Sequence, residues 1–306
     1  MLTYMMLAGG LIGLFLGGDW LVRSASQIAS HFNVPPLIIG LTIVGFGTST
    51  PELLVSLQAA FDGLPGISIG NVVGSNTANI LMILGLASVI APPIADFMIM
   101  RRDLVWMLGA TLAMPVIIVS GNIGRVEGMA LVTGLIVYLG VSFRAMRNAP
   151  AEPLPSDVNL VHATGFTIAG LIAVMVGANF LVESATIIAR QLGVSEAMIG
   201  LSIVAIGTSL PELATTAAAA IKGQREIALG NVIGSNIFNI LAILGITGLV
   251  IPIPVAARFQ YFDVPVMIAV TLATIGLIYF KGTLSRLVGM GMITCYIGYI
   301  AIGASL

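Results

Sequence analysis

The sequence predicts an all-α integral membrane protein of ten transmembrane helices, built as two inverted five-helix repeats. Three observations predict it. Hydrophobic residues make up 58% of the chain and charged residues only 8%, with a mean hydropathy of +1.09, whereas about a quarter of residues are charged in soluble domains. Charged, Pro-rich and Gly-rich points divide the chain into apolar stretches near the roughly 20 residues that one span requires. Finally, Gly47-Thr48-Ser49-Thr50-Pro51-Glu52 returns as Gly207-Thr208-Ser209-Leu210-Pro211-Glu212, 160 residues later. A repeat with an odd number of spans must re-enter the membrane from the opposite face, which relates the halves by a pseudo-two-fold axis in the membrane plane.

In order, spans are expected at about 3–30, 36–61, 67–91, 103–120 and 125–145, then at about 163–191, 196–221, 227–251, 263–280 and 285–304. The first is read as a retained span, because Met1-Leu2-Thr3-Tyr4 lacks the basic segment and cleavage site of a secretory signal. The second carries the hexapeptide, and Gly40-Leu41-Thr42-Ile43-Val44 ahead of it matches Gly200-Leu201-Ser202-Ile203-Val204. The third opens with Gly70-Asn71-Val72, matched by Gly230-Asn231-Val232. In the fourth, Asp103 and Thr111-Leu112-Ala113 match Asp263 and Thr271-Leu272-Ala273. In the fifth, Arg125, Gly128, Met129 and Tyr138 match Arg286, Gly289, Met290 and Tyr299 after one inserted residue. The first repeat therefore covers 1–145, with its densest motif at 40–85, and the second covers 163–306, with its motif at 200–245. Between them, 146–162 holds Arg147-Asn148-Ala149-Pro150-Ala151-Glu152-Pro153-Leu154-Pro155-Ser156-Asp157, the composition of a linker.

Positive charge sets the expected orientation. Alternating loops place Arg23, Arg101, Arg102, Arg144, Arg147, Lys222, Arg225, Lys281 and Arg286 on one side, and only Arg125, Arg190 and Arg258 on the other. The richer side is expected to be cytoplasmic, with the 146–162 linker inside and both termini outside. The net charge of −1 argues against a nucleic-acid partner, and no protein partner is inferred beyond the lipid bilayer. Cys295 has no second cysteine to pair with.

The chemistry concentrates in the hexapeptides. An acid at the centre of a spanning helix costs roughly 2.5 to 3.5 kcal/mol on insertion scales, so Glu52 and Glu212 are expected to face a cavity and serve a function. Pro51 has no amide hydrogen and clashes with the carbonyl four residues back, so the helix should break and free the Gly47 carbonyl. Carboxylate, carbonyl and hydroxyl oxygens are the ligands that hard cations such as Ca²⁺ and Na⁺ prefer. In the next span Asn71, Ser75 and Asn79 recur every four residues and share one helix face, as do Asn231, Ser235 and Asn239. Gly70 with Gly74, and Gly230 with Gly234, have the spacing that lets membrane helices approach closely. The scattered Met residues are read as packing rather than metal ligands, and His31 and His162 lie near span ends. Asp19 and Arg23, one turn apart, are placed to neutralise each other. Glu183 occupies the position equivalent to Arg23, so symmetry also allows an Arg23–Glu183 pair across the axis.

Gly-Thr-Ser-x-Pro-Glu in one span, followed by Gly-Asn-x-x-Gly-Ser-Asn-x-x-Asn in the next, both occurring twice, resembles the two α-repeats of the sodium/calcium exchangers, within the cation/calcium exchanger superfamily. The resemblance extends over nearly the whole chain, and the short loops suit the prokaryotic short form in a plasma (inner) membrane. It implies that Ca²⁺ is held by the carboxylates of Glu52 and Glu212 with the backbone carbonyls of Thr48 and Thr208. It implies flanking Na⁺ sites from Ser49, Ser75 and Ala205 and from Ser209, Ser235 and Gly45, with Asn79 and Asn239 lining the centre. It also implies alternating access, in which the first long span of each half slides past an eight-helix core. Some relatives carry Asp at the position of Asn239, notably potassium-dependent exchangers, so potassium coupling is not expected. Two carboxylates balance one Ca²⁺, and the three-for-one exchange that the resemblance implies would be electrogenic. The linker is too short for the regulatory insert of animal exchangers.

The expected activity is therefore Na⁺/Ca²⁺ antiport, with no cofactor beyond the transported ions. A Ca²⁺/H⁺ or other divalent cation/H⁺ antiporter would use the same two Glu residues, although proton coupling gives no use to the Ser and Thr hydroxyls. Two acids in one dry pocket bind protons in competition with cations, which predicts acid inhibition between about pH 5 and 8. A channel fits poorly with inverted halves that lack a charged central ring. An enzyme using Ser49 as nucleophile would need a base, and neither His lies deep enough.

Overall fold

The computed structural model describes residues 2–32, 34–93, 96–148, 159–192 and 205–303. It contains helices α1 Leu2–His31, α2 Pro36–Phe61, α3 Pro65–Ile90, α4 Phe97–Ile118 and α5 Arg125–Asn148. The second half contains α6 Leu160–Gln191, α7 (seen as Ala205–Gly207 and Leu210–Ile221), α8 Arg225–Val250, α9 Phe259–Lys281 and α10 Arg286–Gly303. Among the described residues, eight of these helices are long and apolar enough to cross a membrane. The others are α4, of 22 residues, and the shorter described part of α7.

The spans fall where the hydropathy places them, with two instructive shifts. Helix α4 begins at Phe97, ahead of the expected 103, because Asp96 caps it by accepting from the backbone N–H groups of Met98 and Ile99 at 2.8 and 3.4 Å. Helix α9 likewise begins at Phe259, ahead of 263. In both, an Asp that marks a membrane boundary by composition is instead paired with an arginine at or near the start of the helix. Arg102 Nη2 lies 2.8 Å from Asp103, and Arg258 Nε lies 3.0 Å from Asp263. Helix α5 runs on to Asn148, and Asn159 caps α6 by accepting from the N–H of His162, so helix takes in both ends of the expected linker. Residues 149–158 of that linker, and the expected start of α7 near 196, lie outside the described residues.

The inverted two-fold is visible in contacts that recur at opposite ends of the molecule. Strand β1, Asn122–Ile123, pairs antiparallel with β2, Ile253–Pro254. At the other end, the Leu284 N–H donates to the Pro93 carbonyl at 3.3 Å, using the residues equivalent to Ile123 and Ile253. Gly128 of α5 sits against the backbone of Gly245 and Leu249 in α8, where an added Cβ would lie 2.8 and 2.7 Å from their atoms. Gly289 of α10 sits in the same way on Gly85 and Val89 of α3, at 2.5 and 3.1 Å. The matched Asp and Tyr positions also meet: the Tyr299 hydroxyl donates to Asp263 at 2.9 Å, and that of Tyr138 to Asp103 at 3.5 Å.

The main apolar core draws on α2, α3, α4, α5, α8, α9 and α10, with Leu213 of α7 packed against it. Among the described residues it takes none from α1 or α6. Those two long helices lie along each other through small residues: a Cβ on Gly10 would approach the Gly177 carbonyl oxygen to 2.8 Å, and one on Gly170 the Gly17 oxygen to 2.9 Å. Separate smaller clusters join this pair to the ends of the core helices. The architecture is thus a central bundle with a closely packed pair of long helices beside it.

Candidate functional site

The site forms where α2 and α7 break at the centre of the bundle. Pro51 and Pro211 each start a new helical segment at its first turn, where a missing N–H is tolerated. Before them, Ser49 (φ −83°, ψ 6°) and Ser209 (φ −88°, ψ 5°) leave the helical region. Glu52 and Glu212 then fall in the first turn of the second segments, where the helix dipole favours negative charge. They are 0% and 1% exposed, and Thr48, Ser49 and Ser209 are buried with them.

A pair of Asn clamps holds these breaks in place. Asn71 Nδ2 donates to the Glu52 backbone carbonyl (3.0 Å) and to Ser56 Oγ (2.9 Å), while its Oδ1 accepts from the Thr208 hydroxyl of the other half at 3.3 Å. Asn231 repeats the pattern on the Glu212 carbonyl (3.3 Å), Thr216 (2.9 Å) and Thr48 (3.2 Å). Each clamp therefore ties its own acidic turn to the threonine of the opposite motif. In α3 and α8 the helix widens into π turns that begin at Asn79 and Asn239, a deviation found often at functional sites.

The atoms facing the centre are mostly oxygens. Ser49 Oγ donates to Glu212 Oε1 at 2.9 Å. Both oxygens of Glu52, Oε2 of Glu212, Oδ1 of Asn79 and Asn239, and the hydroxyl of Ser209 are buried without a hydrogen-bond partner among the described residues. Unpartnered buried acceptors are costly, and oxygens of this kind have the chemistry that hard cations prefer.

The structure brings together most residues singled out by the sequence. Ser235 Oγ reaches the carbonyl of Gly45 at 3.3 Å, uniting two members of one expected Na⁺ set. Ser75 Oγ accepts from Asn239 Nδ2 at 2.9 Å, which places it beside the centre. Ala205 heads the described turn of α7, and its side chain lies outside the described residues. Gly230 and Gly234 do allow close approach, since a Cβ on either would collide with the backbone of Leu37 or Leu41 in α2. The segment equivalent to that contact for Gly70 and Gly74, 197–201, lies outside the described residues.

The Arg23–Glu183 pair is not formed. Arg23 binds Asp19 at 3.0 Å within α1, and Glu183 is exposed. Lys222, at the α7–α8 turn, also pairs with Asp19 and donates to its backbone carbonyl at 3.0 Å. No pattern within one helix signals that contact. Asn76 and Asn236 stand in the repeated Gly-Asn-x-x-Gly-Ser-Asn-x-x-Asn motif with no role expected of them; they sit off the four-residue face yet meet across the axis. Their recurrence 160 residues apart was the available signal.

Fold and site together define a multi-pass membrane protein of inverted-repeat architecture with one doubled acidic centre. The profile of the sodium/calcium exchanger protein family matches residues 2–144 and 162–303. The chain is 36% identical over 302 residues to the putative antiporter CaxA of Alkalimonas amylolytica, covering 95% of both. It is 34% identical to the sodium/calcium exchanger MaX1 of Methanosarcina acetivorans, covering 98% of both. The structure of the sodium-calcium exchanger NCX_Mj superposes with a TM-score of 0.87 at 36% identity, over 98% of each chain. The chain belongs to the sodium/calcium exchanger family.

Proposed function

We propose that this protein is a secondary antiporter that exchanges Na⁺ for Ca²⁺ by alternating access, three for one and electrogenically. The observation that carries the reading is the paired acidic centre: two fully buried carboxylates on broken helices, ringed by acceptor oxygens that lack partners among the described residues. Two such charges in a dry interior are unfavourable by several kcal/mol each in order of magnitude unless opposite charge compensates them. One divalent cation, or more than one Na⁺, does so. In this reading Ca²⁺ is held as substrate by Glu52 and Glu212 with the carbonyls of Thr48 and Thr208. Sodium ions share the carboxylates and draw on Ser49, Ser75 and Ala205 or on Ser209, Ser235 and Gly45. Asn79 and Asn239 contribute neutral carbonyl oxygens.

Alternating access is assigned to α1 and α6. Their glycine-lined contact and their absence from the main core suit a pair that slides as one body beside the bundle. By the positive-inside rule the Lys222 side is cytoplasmic and the termini lie outside in a plasma (inner) membrane.

The test is ⁴⁵Ca²⁺ uptake into proteoliposomes loaded with Na⁺, compared with K⁺-loaded vesicles and with a pH jump. Uptake driven by the Na⁺ gradient and accelerated by an inside-positive potential supports the reading, because net positive charge leaves with Na⁺. Uptake driven by the pH jump alone overturns it in favour of Ca²⁺/H⁺ exchange.

A further inference from the structure

Behind the ion-facing oxygens lies a second layer of amides that crosses the two-fold axis. Asn239 Nδ2 donates to Asn76 Oδ1 at 3.1 Å as well as to Ser75, and Asn79 Nδ2 donates to Asn236 Oδ1 at 3.0 Å. Asn76 and Asn236 in turn each donate to the other's backbone carbonyl at 3.4 Å. Each also lies against a thioether, Met267 Sδ at 3.8 Å for Asn76 and Met107 Sδ at 3.9 Å for Asn236. All four amides are buried. The two methionines are themselves equivalent positions of α9 and α4, so the layer follows the two-fold except for the bond from Asn239 to Ser75, which Asn79 does not repeat on Ser235.

An asparagine amide can be turned end for end with little change of shape, and the two orientations carry opposite polarity. With Nδ2 inward, Asn79 or Asn239 would present two partly positive hydrogens to a cation. With Oδ1 inward it presents a ligand. The donors of Asn76 and Asn236 are committed to each other's backbone and to sulfur, so only their Oδ1 atoms remain to face Asn239 and Asn79. That arrangement holds the Nδ2 groups of Asn79 and Asn239 outward, and their Oδ1 atoms are the ones left without partners among the described residues.

We propose that Asn76 and Asn236 are positioning residues of the ion site: they lock the amides of Asn239 and Asn79 carbonyl-inward and so set the affinity for the transported cation. The proposal rests on the antiporter reading. It also makes a packing role and a positioning role rank the same substitutions in opposite order. Leucine matches asparagine in shape but offers no acceptor, whereas aspartic acid in its neutral form keeps a carbonyl oxygen opposite the neighbouring Nδ2 and an O–H toward the opposite backbone carbonyl.

The experiment measures the Ca²⁺ half-saturation and maximal rate of uptake for wild type, Asn76→Leu, Asn236→Leu, Asn76→Asp and Asn236→Asp, each also in an Asn239→Ala or Asn79→Ala background. The Leu variants are expected to raise half-saturation about tenfold, the upper end of what one lost hydrogen bond between neutral amides is worth, with maximal rate within about threefold. The Asp variants should stay within about threefold of wild type. Once the partner amide is gone, Asn76→Leu or Asn236→Leu should add little further loss. Melting temperature with and without Ca²⁺ covers variants that fold poorly: positioning predicts a smaller Ca²⁺-induced rise, packing an equal drop in both conditions. Leu variants with wild-type affinity, Asp variants worse than Leu, or full additivity with the Ala background overturn the proposal. A wild type without Na⁺-driven uptake or any Ca²⁺ response overturns the antiporter reading instead.

Discussion

The two halves of the site contain the same residue types at the same spacing and yet do not make the same bonds. The frame obeys the two-fold: Asn71 and Asn231 clamp equivalent carbonyls and hydroxyls, and Asn76 and Asn236 bond each other. The innermost oxygens do not. Ser49 donates across to Glu212, while its counterpart Ser209 and both oxygens of Glu52 have no partner among the described residues. Ser235 reaches the Gly45 carbonyl of the opposite half, while Ser75 donates to Val72 in its own helix at 3.2 Å. A duplicated frame fixes where the candidate ligands stand, while the hydroxyls at its centre break the two-fold.

The hardest test of the comparison removes the charges. Glu52→Gln and Glu212→Gln should each reduce Na⁺-driven ⁴⁵Ca²⁺ uptake by more than about 100-fold, since each leaves one carboxylate to face a divalent ion in a dry site. If Glu52→Gln kept appreciable transport, the bare carboxylate would be outside the ion's reach and the halves would differ in function as well as in bonding.

The clamps test the frame. Asn71→Leu and Asn231→Leu each remove two donors and one acceptor, freeing a backbone carbonyl, a hydroxyl and a threonine of the other half. Each should lower the melting temperature of the purified protein by an amount equivalent to about 2–4 kcal/mol, and the two should be equal within error. Unequal losses would show that the two-fold of the frame is only apparent.

The serines test the asymmetry directly. Ser49→Ala leaves Glu212 Oε1 unbonded and should cost about 1–2 kcal/mol of stability without ions, whereas Ser209→Ala removes a hydroxyl that has no described partner and should cost close to nothing. Melting curves in ion-free buffer check this. Equal destabilisation would mean that the two serines exchange roles rapidly in solution.

How much of this was legible beforehand follows the range of each interaction. Pro51, Pro211 and the acids beside them announce a broken helix with a ligand at its end, because that logic is local. The Asn71–Ser75–Asn79 face is equally local, a matter of one helix's period. The halves declared themselves through spacing. What stayed hidden depends on how α3 crosses α8, which no single-helix pattern contains. Asn76 lies five residues beyond Asn71 and off its face, yet the crossing brings it to Asn236. The arginines at Asp103 and Asp263 were hidden differently: the repeat preserves Asp and Tyr, but each half supplies its cation from a nonequivalent place, Arg102 in one and Arg258 in the other.

The smallest expected effect lies away from the ions, where the halves differ in sequence. Lys222 ties α1 to the α7–α8 turn through Asp19, with both side chains less than a quarter exposed, at 21% and 24%. The equivalent positions are Asp62 and Asn179, which cannot form an ion pair; Asp62 is instead held by Gln58 at 2.9 Å, within its own helix end. If α1 and α6 move together, this bridge is available at one end of the stroke and has no counterpart at the other. It should favour the present arrangement by about 1 kcal/mol or less, the usual worth of such a pair. Lys222→Met removes the bridge and leaves Asp19 paired with Arg23. In oriented vesicles it should then shift the apparent Ca²⁺ affinity about two- to fivefold, in opposite directions on the two faces, with little change in maximal rate. Building the missing mate with Asn179→Asp and Asp62→Lys in the wild-type chain should shift both affinities the same way as Lys222→Met, because it supplies to the opposite arrangement the contact that only one arrangement has. If neither change moves the affinities, the bridge holds α1 to the bundle in both arrangements and the sliding pair pivots about it.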